Sequence, residues 1–135
     1  MTAVKVLIVD DDTQVRMVLT RVLASRGYEI CSAPDAVSAV STARQEHPDL
    51  VVLDLGLPAG NGVVVLERLR NLTSTAVTPV IVITGGMVDH LTEETLRGFG
   101  CDRILTKPIT SQSLLDAVDE ALGTQRLTDD PHGPS

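Results

Sequence analysis

Residues 4–12 read VKVLIVDDD, and this stretch decides the fold class. A nearly continuous apolar run, rich in β-branched residues, ends abruptly at three consecutive aspartates. Such a run is typical of a strand that is buried on both faces of a sheet. From Thr13 the apolar residues recur at helical spacing until Gly27, and glycine commonly follows the last turn of a helix. The stretch therefore predicts a buried strand followed by an amphipathic helix.

The same alternation recurs four more times along the chain. The further predicted strands are 28–32, 50–55, 80–84 and 103–106, and the further predicted helices are 36–45 with Asp35 as N-cap, one that opens at Gly60-Asn61-Gly62, 89–99 and 111–122. Apolar strands that alternate with helices imply parallel strands, right-handed crossovers and helices on both faces. We predict an α/β doubly wound fold with a five-stranded parallel sheet. The predicted strand order is the flavodoxin-like 2-1-3-4-5, which makes the fold a (βα)5 three-layer sandwich.

Composition narrows the possible functions. The chain has 135 residues, and 11 basic against 18 acidic side chains give a net charge of −7, which argues against direct nucleic-acid binding. Only Tyr28 and Phe99 carry aromatic rings, too few for a base-stacking platform. No apolar run approaches the roughly 20 residues of a membrane helix, and the N-terminus does not resemble a signal peptide. We expect a cytoplasmic protein without direct membrane or nucleic-acid contact.

The chain is long enough for one domain, which we assign to residues 1–123. Residues 124–135 contain few apolar side chains and two prolines, so they are predicted to be a flexible tail or linker. Arg16, Arg21 and Arg26 lie on the first predicted helix and are interpreted as a solvated face or, less commonly for such a pattern, a partner-docking stripe.

Polar residues stand at the carboxyl ends of the predicted strands, where open parallel sheets bind their ligands. Asp10 and Asp11 follow the first strand, Asp54 lies in the third, Thr84 ends the fourth and Lys107 follows the fifth. If strands one and three are neighbours, three carboxylates share a pocket and repel one another unless a cation intervenes. Oxygen ligands of this kind suit Mg²⁺, which retains waters and binds phosphate oxygens. The pattern predicts a pocket for Mg²⁺ and a phosphoryl group.

The chemistry of these residue types is consistent with phosphoryl transfer. A carboxylate such as Asp54 can act as a nucleophile toward phosphorus, while Lys107 offers a positive charge and Thr84 a hydroxyl. The aspartates at 10–12 could instead be a capping cluster at a helix start. Because a cap needs only one acid, we predict that Asp12 caps the helix and that Asp10 and Asp11 bind metal.

Four motifs carry a family resemblance: VLIVDD at 6–11, DLVVLDLGLPAGNG at 49–62, PVIVITG at 79–85 and GCDRILTKP at 100–108. In this order and spacing the chain resembles the receiver domain of two-component response regulators, in a single-domain, chemotaxis-regulator-like form, over about residues 4–122. The resemblance implies that a phosphoryl group moves from a phosphohistidine of a histidine kinase or histidine phosphotransfer protein to an aspartate. By motif position that aspartate is Asp54.

The resemblance also implies a ligand set. Asp11 and Asp54 would ligate Mg²⁺ directly, Asp10 through water, and the backbone carbonyl of Gly56 would complete the protein ligands. A receiver of this kind is expected to catalyse its own aspartyl phosphorylation and dephosphorylation rather than to act as a conventional enzyme. It is expected to be a monomer or a weak dimer.

The signalling step is implied in the same way. Thr84 and Lys107 would contact the phosphoryl oxygens, and their movement would report phosphorylation to a downstream protein at the face of helix 4, strand 5 and helix 5. The family usually has an aromatic residue three positions before the lysine, where this chain has Ile104. Two positions that tune the lifetime of the aspartyl phosphate are Gly56 and Gly86, so we hypothesise a lifetime set by the bare site and by partners.

Two other functions are left open by the sequence. A haloacid-dehalogenase-like phosphatase also places Asp-x-Asp after its first strand, as Asp10 and Asp12 are placed here, although Gln14 departs from that motif and the chain leaves no room for a cap domain. A phosphorylation-independent scaffold would keep the fold without the chemistry. Nothing resembles a DNA-binding helix-turn-helix, so output is expected from another chain or from a domain beyond Ser135.

Overall fold

The computed structural model describes residues 3–57 and 62–129, with side chains as far as residue 123. Its elements are β1 Lys5–Val9, α1 Thr13–Ala24, β2 Glu29–Ala33, α2 Ala36–Glu46, β3 Leu50–Asp54, α3 Gly62–Asn71, a short 3-10 turn Thr73–Thr75, β4 Val80–Thr84, α4 His90–Gly98, β5 Arg103–Thr106 and α5 Ser111–Asp129. The five strands form one parallel sheet in the order β2-β1-β3-β4-β5. The predicted fold class and strand order are confirmed.

Two apolar layers form because successive side chains of a strand point to opposite faces of the sheet. One layer joins alternate residues of β1, β3 and β4, such as Leu7 and Leu53, to α2, α3 and α4. The other joins the intervening residues, such as Ile8 and Val52, to α1 and α5. Because helices cover both faces, every residue of β3 and β4 is buried, and this burial explains why their sequences do not alternate between apolar and polar.

Aspartates begin three of the helices. The Asp12 carboxylate accepts hydrogen bonds from the amides of Gln14 and Val15, and those of Asp35 and Asp89 cap α2 and α4 in the same way. A side-chain oxygen at this position satisfies a helix amide that has no partner within the helix. The predictions that Asp12 and Asp35 are N-caps are confirmed.

Helix α5 differs from the sequence prediction. The sequence predicts an end at Leu122, but the helix continues to Asp129. Gly123 weakens a helix interior without ending it, and the first proline after Ser111 is Pro131. The division into a domain ending at residue 123 and a tail thereafter stays a prediction. Gly60 and Asn61, predicted to open α3, lie outside the described residues, and within those residues no helix is long and apolar enough to cross a membrane.

Arg70 fastens the turn after α4 to the loop after α3. Its Nε donates to the Phe99 carbonyl at 2.6 Å and its Nη2 to the Gly100 carbonyl at 3.1 Å. Its Nη1 donates to the carbonyls of Thr75 and Thr78 at 3.0 and 2.7 Å. One half-buried guanidinium therefore satisfies four backbone oxygens and holds the C-terminal end of α4 in place.

Gly62 allows α3 to begin directly against the end of β3. A Cβ atom at this position would lie 2.6 Å from Leu55 Cα and 2.7 Å from the Asp54 carbonyl oxygen, closer than real Cβ contacts. The Gly62 amide also donates to the Leu55 carbonyl at 3.1 Å. A side chain here would therefore separate α3 from the strand that carries Asp54.

We expect Gly62→Ala to lower the free energy of unfolding by about 1–3 kcal/mol, because the methyl group meets backbone that cannot yield without moving a strand or a helix. Urea denaturation measures the change. Gly123→Ala is the matched control: it lies inside α5 with no heavy atom within 4 Å of an added Cβ, so it should stabilise by about 0.5–1 kcal/mol. Equal effects of the two substitutions would contradict the steric argument.

Candidate functional site

The pairing of β1 with β3 brings three aspartates together. Val9 is the register partner of Leu53, so Asp10 and Asp54 follow at the same edge of the sheet. Ligand oxygens of Asp10, Asp11 and Asp54 all lie within 4.8 Å of one another. Asp10 and Asp54 are buried, whereas Asp11 is exposed and leaves one side of the cluster open to solvent. The three carboxylates can therefore supply oxygen ligands to a hard cation, and the open side leaves space for further ligands of that cation.

The two buried carboxylates are held in the same way. Asp10 Oδ1 accepts from the Asp12 amide at 2.9 Å, and Asp54 Oδ1 accepts from the Gly56 amide at 3.0 Å. The other oxygens face Lys107, whose Nζ lies 3.5 Å from Asp10 Oδ2 and 3.9 Å from Asp54 Oδ2. Each carboxylate thus has one oxygen fixed by backbone and one oxygen turned toward a positive charge.

The environment of Asp10 disfavours the charged form of its carboxyl group. Burial raises the pKa of Asp10 above its ordinary value, and the charge of Asp54 raises it further. The Asp12 amide and the Lys107 ammonium act in the opposite direction, but they do not compensate. A cation bound among the three acids would remove this penalty.

Thr84 ends β4 at the same edge of the sheet, but its hydroxyl is engaged within its own loop. The Thr84 Oγ1 lies 3.2 Å from the Gly86 carbonyl, to which it donates, and 3.4 Å from the Gly86 amide, from which it accepts. The Thr84 carbonyl accepts from the amide of Lys107 at 2.7 Å. This hydrogen bond fixes the backbone from which the Lys107 side chain extends toward the acids. The Lys107–Pro108 peptide bond, for which the sequence left the isomer open, is cis.

The structure brings together Asp10, Asp11, Asp54 and Lys107 as the sequence predicts, with Thr84 one strand away. Gly56 contributes its amide to Asp54, and its carbonyl as a metal ligand stays a prediction. The roles of these residues in catalysis likewise stay predictions.

Arg16 is a residue of this site that the sequence reasoning missed. The sequence groups it with Arg21 and Arg26 as a solvated or docking stripe, but it is half-buried and its Nη1 donates to the Asp10 carbonyl at 2.7 Å. The available signal was its place in the first turn of α1, because helical side chains point back toward the N-terminus and can reach the preceding loop.

Comparison with known proteins defines the class. The model of the response regulator receiver domain family matches residues 6–119, which is most of the chain. Protein PilH of Pseudomonas aeruginosa is 32% identical over 119 residues, a match that covers 87% of this chain and 97% of PilH. The chain belongs to the response regulator receiver domain family.

Solved structures have the same architecture. A CheY-like receiver domain protein from Methanospirillum hungatei superposes with a TM-score of 0.86 at 27% identity, covering 93% of this chain and 98% of that one. The receiver domain of the sensor histidine kinase PA1611 from Pseudomonas aeruginosa, with a magnesium ion coordinated in its active site cleft, has a TM-score of 0.81 at 23% identity and covers 90% and 99% of the two chains. At that identity the likeness is one of fold.

Other curated relatives are longer, and the chain spans about half their length. The family membership does not favour the haloacid-dehalogenase-like phosphatase or the phosphorylation-independent scaffold. The geometry also opposes the phosphatase motif, because the Asp12 carboxylate caps α1 instead of joining that of Asp10.

The raised pKa of Asp10 generates a pH prediction for the metal-free protein. Below an unfolded-state pKa of about 3.9 the carboxyl is protonated in both states and its burial costs nothing. As pH rises from there toward the higher folded-state pKa, the unfolded chain releases this proton while the native state keeps it, so the native state loses stability until the carboxyl is ionised in both states. With a chelator present, Asp10→Asn should therefore be more stable than the unaltered chain at pH 7, and the difference should disappear near pH 3.5.

The effect is measured by urea denaturation of the unaltered chain and of Asp10→Asn at each of these two pH values. The side-chain amide of the Asp10→Asn variant keeps an oxygen for the Asp12 amide, so the substitution removes charge and leaves that hydrogen bond possible. The control is Asp116→Asn, an exposed carboxylate on α5. An Asp10→Asn advantage that does not change with pH would contradict the electrostatic explanation.

Proposed function

We propose that this receiver domain accepts a phosphoryl group on Asp54, with Mg²⁺ bound, from a phosphohistidine of a histidine kinase or histidine phosphotransfer protein, and that the phosphorylated form signals through protein contacts. The observation that carries the proposal is the cluster of Asp10, Asp11 and Asp54 with Lys107 within 4 Å of two of them. Membership of the receiver family supports it.

The donor set fits Mg²⁺. It consists of carboxylate oxygens, one of them on the exposed Asp11, which would leave room for the waters and phosphoryl oxygens that Mg²⁺ also binds. Asp11 and Asp54 would ligate the ion directly, Asp10 through water, and the Gly56 carbonyl would be the remaining protein ligand. When bound, the ion neutralises negative charge on the acids and on the phosphoryl oxygens. The receiver of PA1611, described above, has a magnesium ion coordinated in its active site cleft.

Asp54 is the proposed nucleophile. Its Oδ1 is held by the Gly56 amide, which leaves Oδ2 as the oxygen that attacks phosphorus. The new bond joins Asp54 Oδ2 to phosphorus, the phosphorus–nitrogen bond of the donor breaks, and the donor ring, protonated on its other nitrogen, leaves with that electron pair as neutral imidazole. The Lys107 ammonium, now shared between two carboxylates, would turn to a phosphoryl oxygen.

Thr84 connects the site to the surface. To donate to a phosphoryl oxygen, its hydroxyl must leave the Gly86 carbonyl, and this exchange pulls on the loop that leads to α4. Met87 in that loop and Leu91 in α4 are exposed, and Ile104 of β5 packs against the α2, α3 and α4 layer. We place the contact with a downstream protein on the face of α4, β5 and α5. We also propose that the protein is cytoplasmic and that it is a monomer or a weak dimer.

Phosphorylation of Asp54 is tested by intact mass after incubation with Mg²⁺ and either acetyl phosphate or phosphoramidate, whose phosphorus–nitrogen bond resembles that of a phosphohistidine. The unaltered chain should gain one phosphoryl group, and Asp54→Asn should gain none because its amide is not a nucleophile. Chelation of Mg²⁺ should also prevent the gain. Reduction of the acyl phosphate with borohydride, followed by peptide mapping, locates the modified residue.

The controls separate the remaining functions. Asp116→Asn, an exposed acid on α5, should be phosphorylated like the unaltered chain. A gain that survives Asp54→Asn and is lost in Asp10→Asn would indicate phosphatase-like chemistry instead. A folded chain that gains nothing with either donor would indicate a scaffold.

The lifetime of the phosphorylated form should depend on Gly86. No heavy atom lies within 4 Å of a Cβ built at this position, so a side chain can start there without a backbone clash. We expect Gly86→Arg to slow hydrolysis of the aspartyl phosphate. Gly86 contacts the Thr84 hydroxyl, so an arginine side chain there would exclude water from the space beside Thr84. Loss of the phosphoryl group is followed by mass after the donor is removed. Gly98→Arg adds the same charge at an open, exposed position of α4 and should leave the rate unchanged.

A further inference from the structure

Arg16 contacts the loop that carries two of the three acids. Its Nη1 donates to the Asp10 backbone carbonyl at 2.7 Å, and its Nη2 donates to Thr13 Oγ1 at 3.3 Å. Both acceptors, a backbone carbonyl and a hydroxyl, are neutral oxygens. The contacts therefore fix the geometry of the loop more than they neutralise its charge.

The bond to the Asp10 carbonyl controls Asp11. That carbonyl belongs to the planar peptide unit that joins the two residues, so fixing its direction fixes the plane from which Asp11 departs. The Asp10 carboxylate and the Asp54 carboxylate are each held by a backbone amide, whereas the carboxylate of Asp11 is exposed. Of the three acids, Asp11 is the one that most needs its backbone oriented from outside.

We propose that Arg16 is a positioning residue for the cation site: it holds the Asp10–Asp11 peptide so that the Asp11 carboxylate meets those of Asp10 and Asp54. The inference rests on the proposed Mg²⁺ site. It assigns to Arg16 no contact with the ion or with the phosphoryl group.

Charge and geometry make opposite predictions for this residue. As a cation beside an acidic pocket, Arg16 would weaken Mg²⁺ binding by repulsion, so its removal would tighten binding if charge were all that mattered. As a positioning residue it strengthens binding, and its removal weakens it. The sign of the change in affinity therefore distinguishes the two roles.

The experiment compares Arg16→Met, Arg16→Lys and Arg21→Met in titrations of the chain with magnesium chloride, followed by calorimetry or by amide chemical shifts. Loss of residues that orient metal ligands typically weakens binding about 10–100-fold, so Arg16→Met should raise the Kd for Mg²⁺ by about tenfold or more. Arg16→Lys keeps the charge and one possible hydrogen bond and should be intermediate. Arg21→Met removes the same charge from an exposed position of α1 and should leave the Kd unchanged or slightly lower.

A second titration with Ca²⁺ separates geometry from charge again. Mg²⁺ requires a near-ideal octahedron, whereas the larger Ca²⁺ accepts irregular ligand sets. Arg16→Met should therefore lose more affinity for Mg²⁺ than for Ca²⁺, while a change of charge alone would affect both ions alike. Hydrogen exchange in the metal-free chain should show faster exchange of the Asp11 and Asp12 amides in Arg16→Met.

The outcomes are distinct. Unchanged or tighter Mg²⁺ binding by a folded Arg16→Met overturns the positioning role and leaves the proposed metal site intact. Equal losses for Mg²⁺ and Ca²⁺, with unchanged amide exchange, also overturn it. If the unaltered chain does not bind Mg²⁺, the proposed metal site fails and the positioning role fails with it. That result is seen in the first titration and is distinct from a loss confined to Arg16→Met.

Discussion

Three negative charges are held close together at the carboxyl ends of two adjacent parallel strands, and much of the structure serves to keep them there. Their repulsion is opposed by the β1–β3 pairing, by the amides that hold Asp10 and Asp54, and by the ammonium of Lys107. The stability of the aliphatic core allows the chain to hold this unfavourable arrangement. The same arrangement makes the site receptive to a dication and to a phosphoryl group carried with it.

The parts of the fold that could be predicted from the sequence depend on local patterns. Strands β4 and β5 have the bounds that their apolar runs indicate, and the caps at Asp12 and Asp35 follow from residue type and position. The strand order depends on the flavodoxin-like pattern as a whole, because apolar runs alone do not say which strands are neighbours. The polar composition after Leu122 suggests an end to α5 there, but that stretch holds no proline before Pro131, and a single glycine does not stop a helix.

The members of the site were predictable, but their contacts were not. Parallel strands bring their carboxyl ends to one edge, so residue types at strand ends were sufficient to assemble Asp10, Asp11, Asp54 and Lys107. The Thr84 hydroxyl bound to Gly86 and the guanidinium of Arg16 on the Asp10 carbonyl depend on loop conformation and side-chain direction. The spacing of apolar residues, from which the strands and helices are predicted, carries no information on either contact.

The two ends of α4 differ in their contacts with the rest of the molecule. Its bonds to the Phe99 and Gly100 carbonyls, together with the fully buried Leu96, hold the last turn of the helix to the rest of the molecule. The first turn follows two glycines and carries the exposed Leu91. With its last turn held in this way, α4 would pivot about a fulcrum beside the α4–β5 turn. A small pull at Thr84 would swing the first turn through the longest arc, while the apolar contacts near the fulcrum remain almost still.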